Sequence, residues 1–339
     1  MNKKLLIIIG YILLTPFMYG QGDTKDEKVR QLFLSAWQTF QKQDYKASIK
    51  SLIEATQLKP TDSIYNLLGT AYAYNEEYDK SIIAYDKAIE MNPKYASAYR
   101  GKGLVYTKKQ NQEEVFKNFS KAIEADPQYT EAYIDRSTYY ITINQPENAL
   151  ADINKAIELN SKNSSAYYGR GTIYAALNRF DEAFKDVDKS IELNPNSDNV
   201  EAYKVRGNLY FLKKDLSNAI SDLSKVIEMN PKDPGIYNNR GGLYYHNGEY
   251  KKAIQDFNKD LADNNQNMGS YFLRGSSYMK LKMYKEALAD FNKAIEIFPE
   301  YKGAYYSRAD LYKLLKKEDL ANADMKRAKE LEMNEPEKQ

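Results

Sequence analysis

The sequence has one histidine, His246, and no cysteine, and these two facts limit the chemistry that the chain can perform. Without cysteine there are no disulfides, zinc–thiolate sites or cysteine nucleophiles, and a Ser-His-Asp triad has only His246 to use. The segment from Asn194 to Asn199 carries oxygen ligands but lacks the glycine and the terminal glutamate of a calcium loop. Gly101 and Gly103 fall within a helical pattern and form no phosphate-binding loop. We therefore expect no catalytic, cofactor-binding or metal site, and a protein that is not an enzyme.

Arginine and aspartate recur along the chain at a fixed interval. Six arginines are each followed, sixteen residues later, by an aspartate. The pairs are Arg136 with Asp152, Arg170 with Asp186, Arg206 with Asp222, Arg240 with Asp256, Arg274 with Asp290, and Arg308 with Asp324. In the three preceding segments both types are missing together, where Ser35 stands with Ser51, Leu68 with Ala84, and Lys102 with Asn118. We expect an ion pair within each segment, and two alternatives explain the same co-occurrence: pairing with the aspartate of the preceding segment, or common ancestry without contact.

These residues belong to a skeleton that returns every 34 residues along most of the chain. Around the eighth copy it reads Tyr271, Arg274-Gly275, Tyr278, Tyr284, Ala287, Phe291, Ala294 and Pro299. A period of this length is typical of stacked helix-turn-helix repeats, and the chain resembles the tetratricopeptide repeat (TPR) family over nearly all its length. The resemblance implies an all-α fold, an α-solenoid wound as a right-handed superhelix of nine TPR repeats, with eighteen antiparallel helices and no strand.

The repeat pattern also sets the expected domain boundaries. We assign residues 1–20 to a signal peptide, 21–28 to a polar linker, 29–335 to the repeat array and 336–339 to a charged tail. The predicted repeats are 29–61, 62–95, 96–129, 130–163, 164–197, 200–233, 234–267, 268–301 and 302–335. Asp198 and Asn199 form a two-residue insertion between the fifth and sixth repeats. The repeats leave no room for a catalytic domain within residues 29–335.

The N-terminal segment has the pattern of an export signal. Met1 to Lys4 is short and basic, Leu5 to Leu14 is apolar, and Gly20 supplies a small residue for cleavage before Gln21. The apolar part is too short to cross a bilayer of about 30 Å, which needs ~20 residues in a helix. We expect an exported protein of the periplasm or cell envelope. The alternative is an uncleaved inner-membrane anchor formed by residues 5–20.

The overall charge is balanced, because lysine and arginine total 49 while aspartate and glutamate total 47. A balanced total gives no general attraction toward nucleic acid or an anionic membrane. We therefore expect a protein or peptide partner and no nucleic acid, with membrane contact only through an uncleaved N-terminal anchor.

In the TPR family the first helix of each repeat lines the concave face, and its second, fifth, sixth and ninth positions meet ligands. The resemblance therefore implies a groove along repeats five to eight, flanked by Gly235, Gly269 and Gly303. Its candidate lining residues are Tyr168, Lys204, Asn208, Asn238, Asn239, Phe272 and Tyr306. A carboxylate clamp known in the family is matched by Lys204, Asn208 and Asn239, but Gly269 and Leu273 depart from it. The alternative binding surfaces are the convex face and the N-terminal surface around Phe33 and Trp37.

The function that follows is a non-enzymatic protein–protein interaction scaffold, which holds a peptide or protein segment on its concave face in the cell envelope. One alternative is a glycan- or peptidoglycan-binding envelope protein that uses exposed tyrosine and asparagine side chains. Another is an accessory subunit of an envelope enzyme complex, since arrays of this kind are often fused to transferase or kinase domains.

Overall fold

The computed structural model describes residues 24–196 and 199–333, and these residues form eighteen α-helices and no strand. The all-α class and the nine helix-turn-helix repeats are therefore confirmed. The predicted signal peptide, residues 21–23 of the predicted linker and the whole of the predicted tail lie outside the described residues, and residues 24–28 of the predicted linker are helical. Ser197 and Asp198, the second of which belongs to the predicted two-residue insertion, also lie outside them.

The chain divides into two compact units, which meet in sequence between Leu193 and Asn194. The helices of the first unit are α1 (Thr24–Gln41), α2 (Tyr45–Leu58), α3 (Asp62–Tyr74), α4 (Tyr78–Met91), α5 (Ala96–Lys108), α6 (Gln112–Ala125), α7 (Thr130–Thr142), α8 (Pro146–Leu159), α9 (Ser164–Ala176) and α10 (Phe180–Leu193). The helices of the second unit are α11 (Val200–Leu212), α12 (Leu216–Met229), α13 (Ile236–His246), α14 (Tyr250–Asp263), α15 (Met268–Lys280), α16 (Tyr284–Ile297), α17 (Lys302–Leu314) and α18 (Glu318–Met333).

Each repeat is a pair of helices packed along one small-residue seam, as the sequence predicts. A Cβ added at Gly171 would lie 3.2 Å from the carbonyl oxygen of Ala183, so the backbones of α9 and α10 approach closely. In the seventh repeat a Cβ at Gly241 would lie 2.9 Å from the ring of Phe257. Ala183, Ala253 and Phe257 are fully buried. Within each unit, successive pairs stack so that each first helix contacts the second helix of the pair before it.

The turn from the first to the second helix has one geometry throughout the described residues. One residue in each turn adopts the left-handed conformation, which closes the first helix with hydrogen bonds to its last carbonyls. The second helix then begins at a capping residue in several repeats, as at Asp44, Asn111 and Asp215, whose side chains accept from backbone amides of the first turn. These turns fix which residues of each first helix face away from its partner helix.

Candidate functional site

The recurring arginines and aspartates form six ion pairs, and each pair lies within one repeat. In the seventh repeat Arg240 Nε donates to Asp256 Oδ2 at 2.7 Å, and Nη2 donates to Oδ1 at 2.8 Å. The other five pairs show the same two-point geometry, with donor–acceptor distances between 2.6 and 2.8 Å. Pairing within the repeat is confirmed, and the alternative of pairing with the preceding repeat is wrong.

Five of these arginines also reach backward to the second helix of the preceding repeat: Arg136, Arg170, Arg240, Arg274 and Arg308. Arg240 Nη1 donates to Ser224 Oγ on the second helix of the sixth repeat, at 3.0 Å. Arg170 makes the equivalent bond to Asn154 at 2.8 Å. Three helices therefore meet at one guanidinium. The series of Arg–Asp ion pairs, which we call the ladder, thus joins neighbouring repeats as well as the two helices of one repeat.

Two tyrosine rings flank most of these guanidinium groups. The centre of the Arg274 guanidinium lies 5.4 Å from the ring of Tyr271 and 6.0 Å from that of Tyr278. The tyrosines at these two positions therefore pack on the cation and give it a cation–π contact. In the sequence these tyrosines belong to the repeat skeleton, and an arginine between two tyrosines seven residues apart is a signal for this contact that we had not used.

The Arg–Asp ion pairs of the ladder stabilise the fold and are not suited to proton transfer. A hydrogen bond from Arg240 to Asp256 raises the pKa of the guanidinium above its ordinary value, against the opposing effect of partial burial. Arginine therefore stays charged at any pH at which the fold exists. The Asp256 residue is only 3% exposed, so its carboxylate depends on this one cation for compensation.

The predicted groove residues fall into both units. Tyr168 lies half-buried on α9 in the first unit, and the other six lie on first helices of the second unit. Among those six, four side chains are engaged within the protein and two are not. The contacts of these four side chains decide which of the predicted groove residues are available to a ligand.

Lys204 is held by two carboxylates. Its ammonium lies 3.0 Å from Glu201 and 2.6 Å from Asp233. Burial opposes the charge, but the hydrogen bonds to Asp233 and Glu201 outweigh burial and raise the pKa of Lys204. In the clamp arrangement this lysine would have to meet a ligand carboxylate, and here two carboxylates of the protein already occupy it.

Asn238 belongs to a buried polar network between the seventh and eighth repeats. Its amide donates to Ser270 Oγ at 2.6 Å, and that hydroxyl donates to Asp260 Oδ2 at 2.6 Å. Asn267 donates to the same oxygen at 2.8 Å. Asp260 and Ser270 are 6% and 0% exposed. Equivalent positions between the fourth and fifth repeats hold Ala156 and Ala166, so this polar contact replaces an apolar one.

Phe272 and Tyr306 also have partners inside the protein. The Phe272 ring packs edge-on against Tyr301, with centroids 5.1 Å apart, and lies 6.1 Å from Phe291. The Tyr306 hydroxyl donates to Glu332 on α18 at 2.9 Å, and this bond raises the pKa of the phenol. Phe272 is thus a core-edge residue whose removal would disturb packing.

A rule connects several of these contacts. In the third, sixth and eighth repeats the fifth position meets the last position of the same repeat, and the chemistry of the two residues matches. Lys204 pairs with Asp233, and Phe272 stacks on Tyr301. In the first unit Arg100 lies 6.0 Å from the ring centre of Tyr129. This match between the fifth and last positions was not predicted, although it is visible when the two positions are compared across these repeats.

Arg100 also forms an ion pair that sequence reasoning missed. Its Nε donates to Asp135 on the first helix of the next repeat at 2.5 Å. Burial raises the pKa of the Asp135 carboxyl, although the Arg100 guanidinium opposes that effect. The side chains of Arg100 and Asp135 are 22% and 19% exposed, and they lie on the same helix face that the sequence assigns to ligand binding.

Asn208 and Asn239 differ from the residues above. Both are exposed, and their side chains make no hydrogen bond within the described part of the chain. Close to Asn239 in sequence, Gly242 lies inside α13, where a Cβ would have nothing within 4 Å. Two amides and an open stretch of backbone are therefore the free hydrogen-bonding surface among the predicted groove residues of the second unit.

His246, the one histidine of the chain, ends α13 and is exposed. Its ring lies 5.4 Å from that of Tyr245 and 6.3 Å from that of Phe211. Within residues 24–196 and 199–333 no group of three acidic or imidazole side chains is arranged to hold a metal ion. Over the same residues, no helix is both long and apolar enough to cross a membrane.

Comparison with protein families identifies the repeats. A family model described as tetratricopeptide repeat matches residues 164–197 and 270–301, and a second with that description matches residues 130–163. A model described as TPR repeat matches residues 69–110 and 207–248. Together these matches span more than half of the chain.

Solved structures share the fold. YrrB, described as a TPR protein with an unusual peptide-binding site, is 25% identical, with a TM-score of 0.51 over 56% of this chain and 97% of YrrB. PilF of Pseudomonas aeruginosa is 20% identical, with a TM-score of 0.57 over 63% of this chain and 97% of PilF. A tetratricopeptide repeat protein of Parabacteroides merdae is 21% identical, with a TM-score of 0.53 over 74% of this chain and 99% of that protein.

A curated relative matches a short part of the chain. Anaphase-promoting complex subunit 3 of Schizosaccharomyces pombe is 36% identical over 63 residues, which are 18% of this chain. The chain spans only 10% of the length of that relative.

Proposed function

The chain belongs to the tetratricopeptide repeat family, and on that basis we propose that it is an interaction scaffold whose second unit holds an extended peptide or protein segment on the face formed by its first helices. The family implies protein partners. The observation that supports this particular face is the pair of exposed, unengaged amides of Asn208 and Asn239 beside the open backbone at Gly242.

Amide side chains suit an extended peptide because each offers both donors and an acceptor to a backbone of any sequence. Gly242 has a cost of roughly 1 kcal/mol relative to alanine inside a helix, and no internal contact requires it. A ligand backbone that lies directly on α13 would account for that choice. Peptide binding by YrrB, which has the same fold, supports a peptide as the ligand.

The four engaged residues have a different part in this proposal. Lys204, Asn238, Phe272 and Tyr306 shape the face through their internal contacts, and Lys204 keeps an exposed edge that a ligand touches beside Asp233. Since two carboxylates hold Lys204, the face does not favour a terminal carboxylate as its main anchor. The affinity expected for such an open face is in the micromolar range, about −8 kcal/mol.

The experiment begins with partner capture, in which a photo-crosslinking side chain at Asn239 identifies what lies on the face in intact cells. Binding of the captured segment is then measured for an Asn208→Ala/Asn239→Ala variant. A matched control, Asn265→Ala/Asn322→Ala, removes two exposed amides from other surfaces of the second unit. We expect binding to be lost in the first variant and kept in the control, with similar melting temperatures. Equal affinity in both would remove this face from consideration.

We also propose that the protein is exported to the periplasm or cell envelope, with residues 1–20 as its signal. The support is the basic, apolar and small-residue order of that segment. N-terminal sequencing of protein from fractionated cells should give a start near Gln21 in the envelope fraction. A start at Met1 in that fraction would instead favour an anchor formed by residues 5–20, and protein found only in the cytosol would contradict export.

A further inference from the structure

The second unit has a strongly basic edge, made by the four turns that join the first helix of each repeat to its second. We define this turn edge as residues 211–217, 245–251, 279–285 and 313–319. It contains nine lysines and four acidic residues. All nine lysines are exposed. The equivalent turns of the first unit contain four basic and seven acidic residues, so the bias does not belong to the repeat pattern itself.

Local structure does not explain these lysines. Lys214, Lys282 and Lys316 adopt the left-handed conformation, with φ near +60°. Glycine and asparagine suit that conformation better than lysine does. Lys251 and Lys285 lie in the first turns of α14 and α16, where the helix dipole disfavours a cation. The positive charge is therefore kept at this edge against local preference.

Most of these lysines also lack a carboxylate partner. Lys214, Lys280, Lys282, Lys316 and Lys317 make no ion pair within the described part of the chain. Lysines elsewhere in the same unit behave differently, since Lys225 pairs with Glu228 and Lys293 pairs with Glu296. The unit can pair its lysines, and it leaves these five turn-edge lysines unpaired, although Lys313 of the same edge pairs with Asp310.

Apolar side chains stand between the lysines. Leu212 is 57% exposed, Leu314 is 56%, Phe211 is 45% and Met283 is 39%. Exposed side chains of this size on the same row of turns present apolar tips beside ammonium groups. The opposite edge of the unit, made by residues 228–233, 262–267 and 296–301, has five acidic residues and one lysine. Three of these acidic residues pair with lysines of the unit, as Asp233 does with Lys204, Glu228 with Lys225 and Glu296 with Lys293, so the excess of positive charge lies at the turn edge and not at the opposite one.

We propose that the turn edge docks the second unit on an anionic lipid bilayer. Lysines beside a negatively charged leaflet attract it, and the apolar tips enter the region between headgroups and acyl chains. The opposite edge has one lysine and no excess of positive charge, so the turn edge is the side that faces the bilayer. The edge contains no arginine, and apolar tips gain nothing from a phosphate backbone, so a bilayer fits better than a nucleic acid.

The first test measures binding of the full chain to vesicles of phosphatidylcholine alone and of phosphatidylcholine with phosphatidylglycerol. The variant is Lys282→Gln/Lys316→Gln/Lys317→Gln, and the control, Lys225→Gln/Lys259→Gln/Lys293→Gln, makes the same change in net charge on second helices of the same unit. Residues 1–20 are the same in all three proteins, so any contribution of that segment cancels. We expect tighter binding to the anionic vesicles, weakened on the order of a hundredfold by the turn-edge variant and far less by the control. Equal loss in both variants, or equal binding to both vesicle types, would overturn the proposal.

The second test locates the contact. Because the chain has no cysteine, Leu212→Cys accepts a single environment-sensitive fluorophore, and Asn265→Cys places the same fluorophore on the opposite edge. Anionic vesicles should shift the emission of the first probe to the blue and leave the second unchanged, and ~0.5 M salt should reverse the shift by screening. A shift at Asn265→Cys alone would contradict the orientation. A DNA duplex that binds as tightly as the vesicles would replace a bilayer with a nucleic acid as the partner.

Discussion

Breaking the Arg240–Asp256 pair should destabilise the second unit, and the two single changes should not add. Asp256 has a side chain that is 4% exposed, and that of Arg240 is 16% exposed. Removing one partner of such a pair leaves a buried charge without compensation, which costs roughly 3–5 kcal/mol. We expect Arg240→Ala to lie toward the upper end, because the aspartate left behind is the more buried of the two and loses both of its hydrogen bonds.

The double variant should cost about 2–3 kcal/mol less than the sum of the two single variants. Two charges 4 Å apart interact by roughly 4 kcal/mol at the effective dielectric found near a protein surface, and desolvation of both ions offsets part of that. We therefore expect a coupling of about 2–3 kcal/mol in the double-mutant cycle. Replacing both side chains by apolar ones, as in Arg240→Met/Asp256→Leu, should recover much of the loss, since no unpaired charge then remains.

The assay is urea unfolding of the four proteins, read by circular dichroism at 222 nm, with slopes compared so that only two-state transitions enter the cycle. A repeat array often unfolds in steps, so hydrogen exchange of amides in α13 and α14 supplies a second, local readout. Additivity of the two single changes within about 0.5 kcal/mol would refute the reasoning. The recurrence of the pair along the chain would then reflect duplication of repeats and not energetic coupling.

Three further outcomes follow from particular contacts. Gly242→Ala should raise the free energy of unfolding by up to ~1 kcal/mol, and with it the melting temperature. Gly241→Ala should lower the melting temperature, because the added Cβ would lie 2.9 Å from the ring of Phe257. Ser270→Ala should cost about 1–3 kcal/mol in urea unfolding by taking a hydrogen bond from buried Asp260, and adding Asp260→Ala should recover part of it. Burial raises the pKa of Tyr85 from 10 to about 12, so the phenol ionises first in the unfolded chain and its contribution to stability is lost as the pH rises from 10 to 12. Over that range Tyr85→Phe should lose less stability than the natural protein, and parallel pH curves would contradict the assignment.

The fold was readable from the sequence because its rules are local. The 34-residue period, the glycine or alanine opposite an alanine, and the arginine sixteen residues before an aspartate all act within one repeat. Each repeat contacts only its neighbours, so a pattern that is correct for one repeat is correct for the array. That is why the helix pairs and the Arg240–Asp256 contact were predicted together.

The candidate site was less readable, because it depends on which side chains remain unengaged. Lys204, Asn238, Phe272 and Tyr306 have the residue types of a binding face, and the tertiary contacts engage all four inside the protein. Their contacts run between neighbouring repeats or between the two ends of one repeat, so no single helix pattern reveals them. Asn208 is among the residues that the sequence selected and the structure leaves exposed and unbonded.

Charge shows the same division between sequence and structure. The composition shows that positive and negative charges balance over the chain, and from that total no attraction to an anionic surface follows. The position of those charges depends on the fold, because antiparallel helix pairs place every turn within a repeat at one edge of a unit and every turn between repeats at the other. Lys282 and Lys316, which are 34 residues apart in sequence, belong to one row of turns, and Glu296 belongs to the opposite row. The net charge of the chain does not show this separation, because the electrostatic field depends on the positions of the charges as well as on their sum.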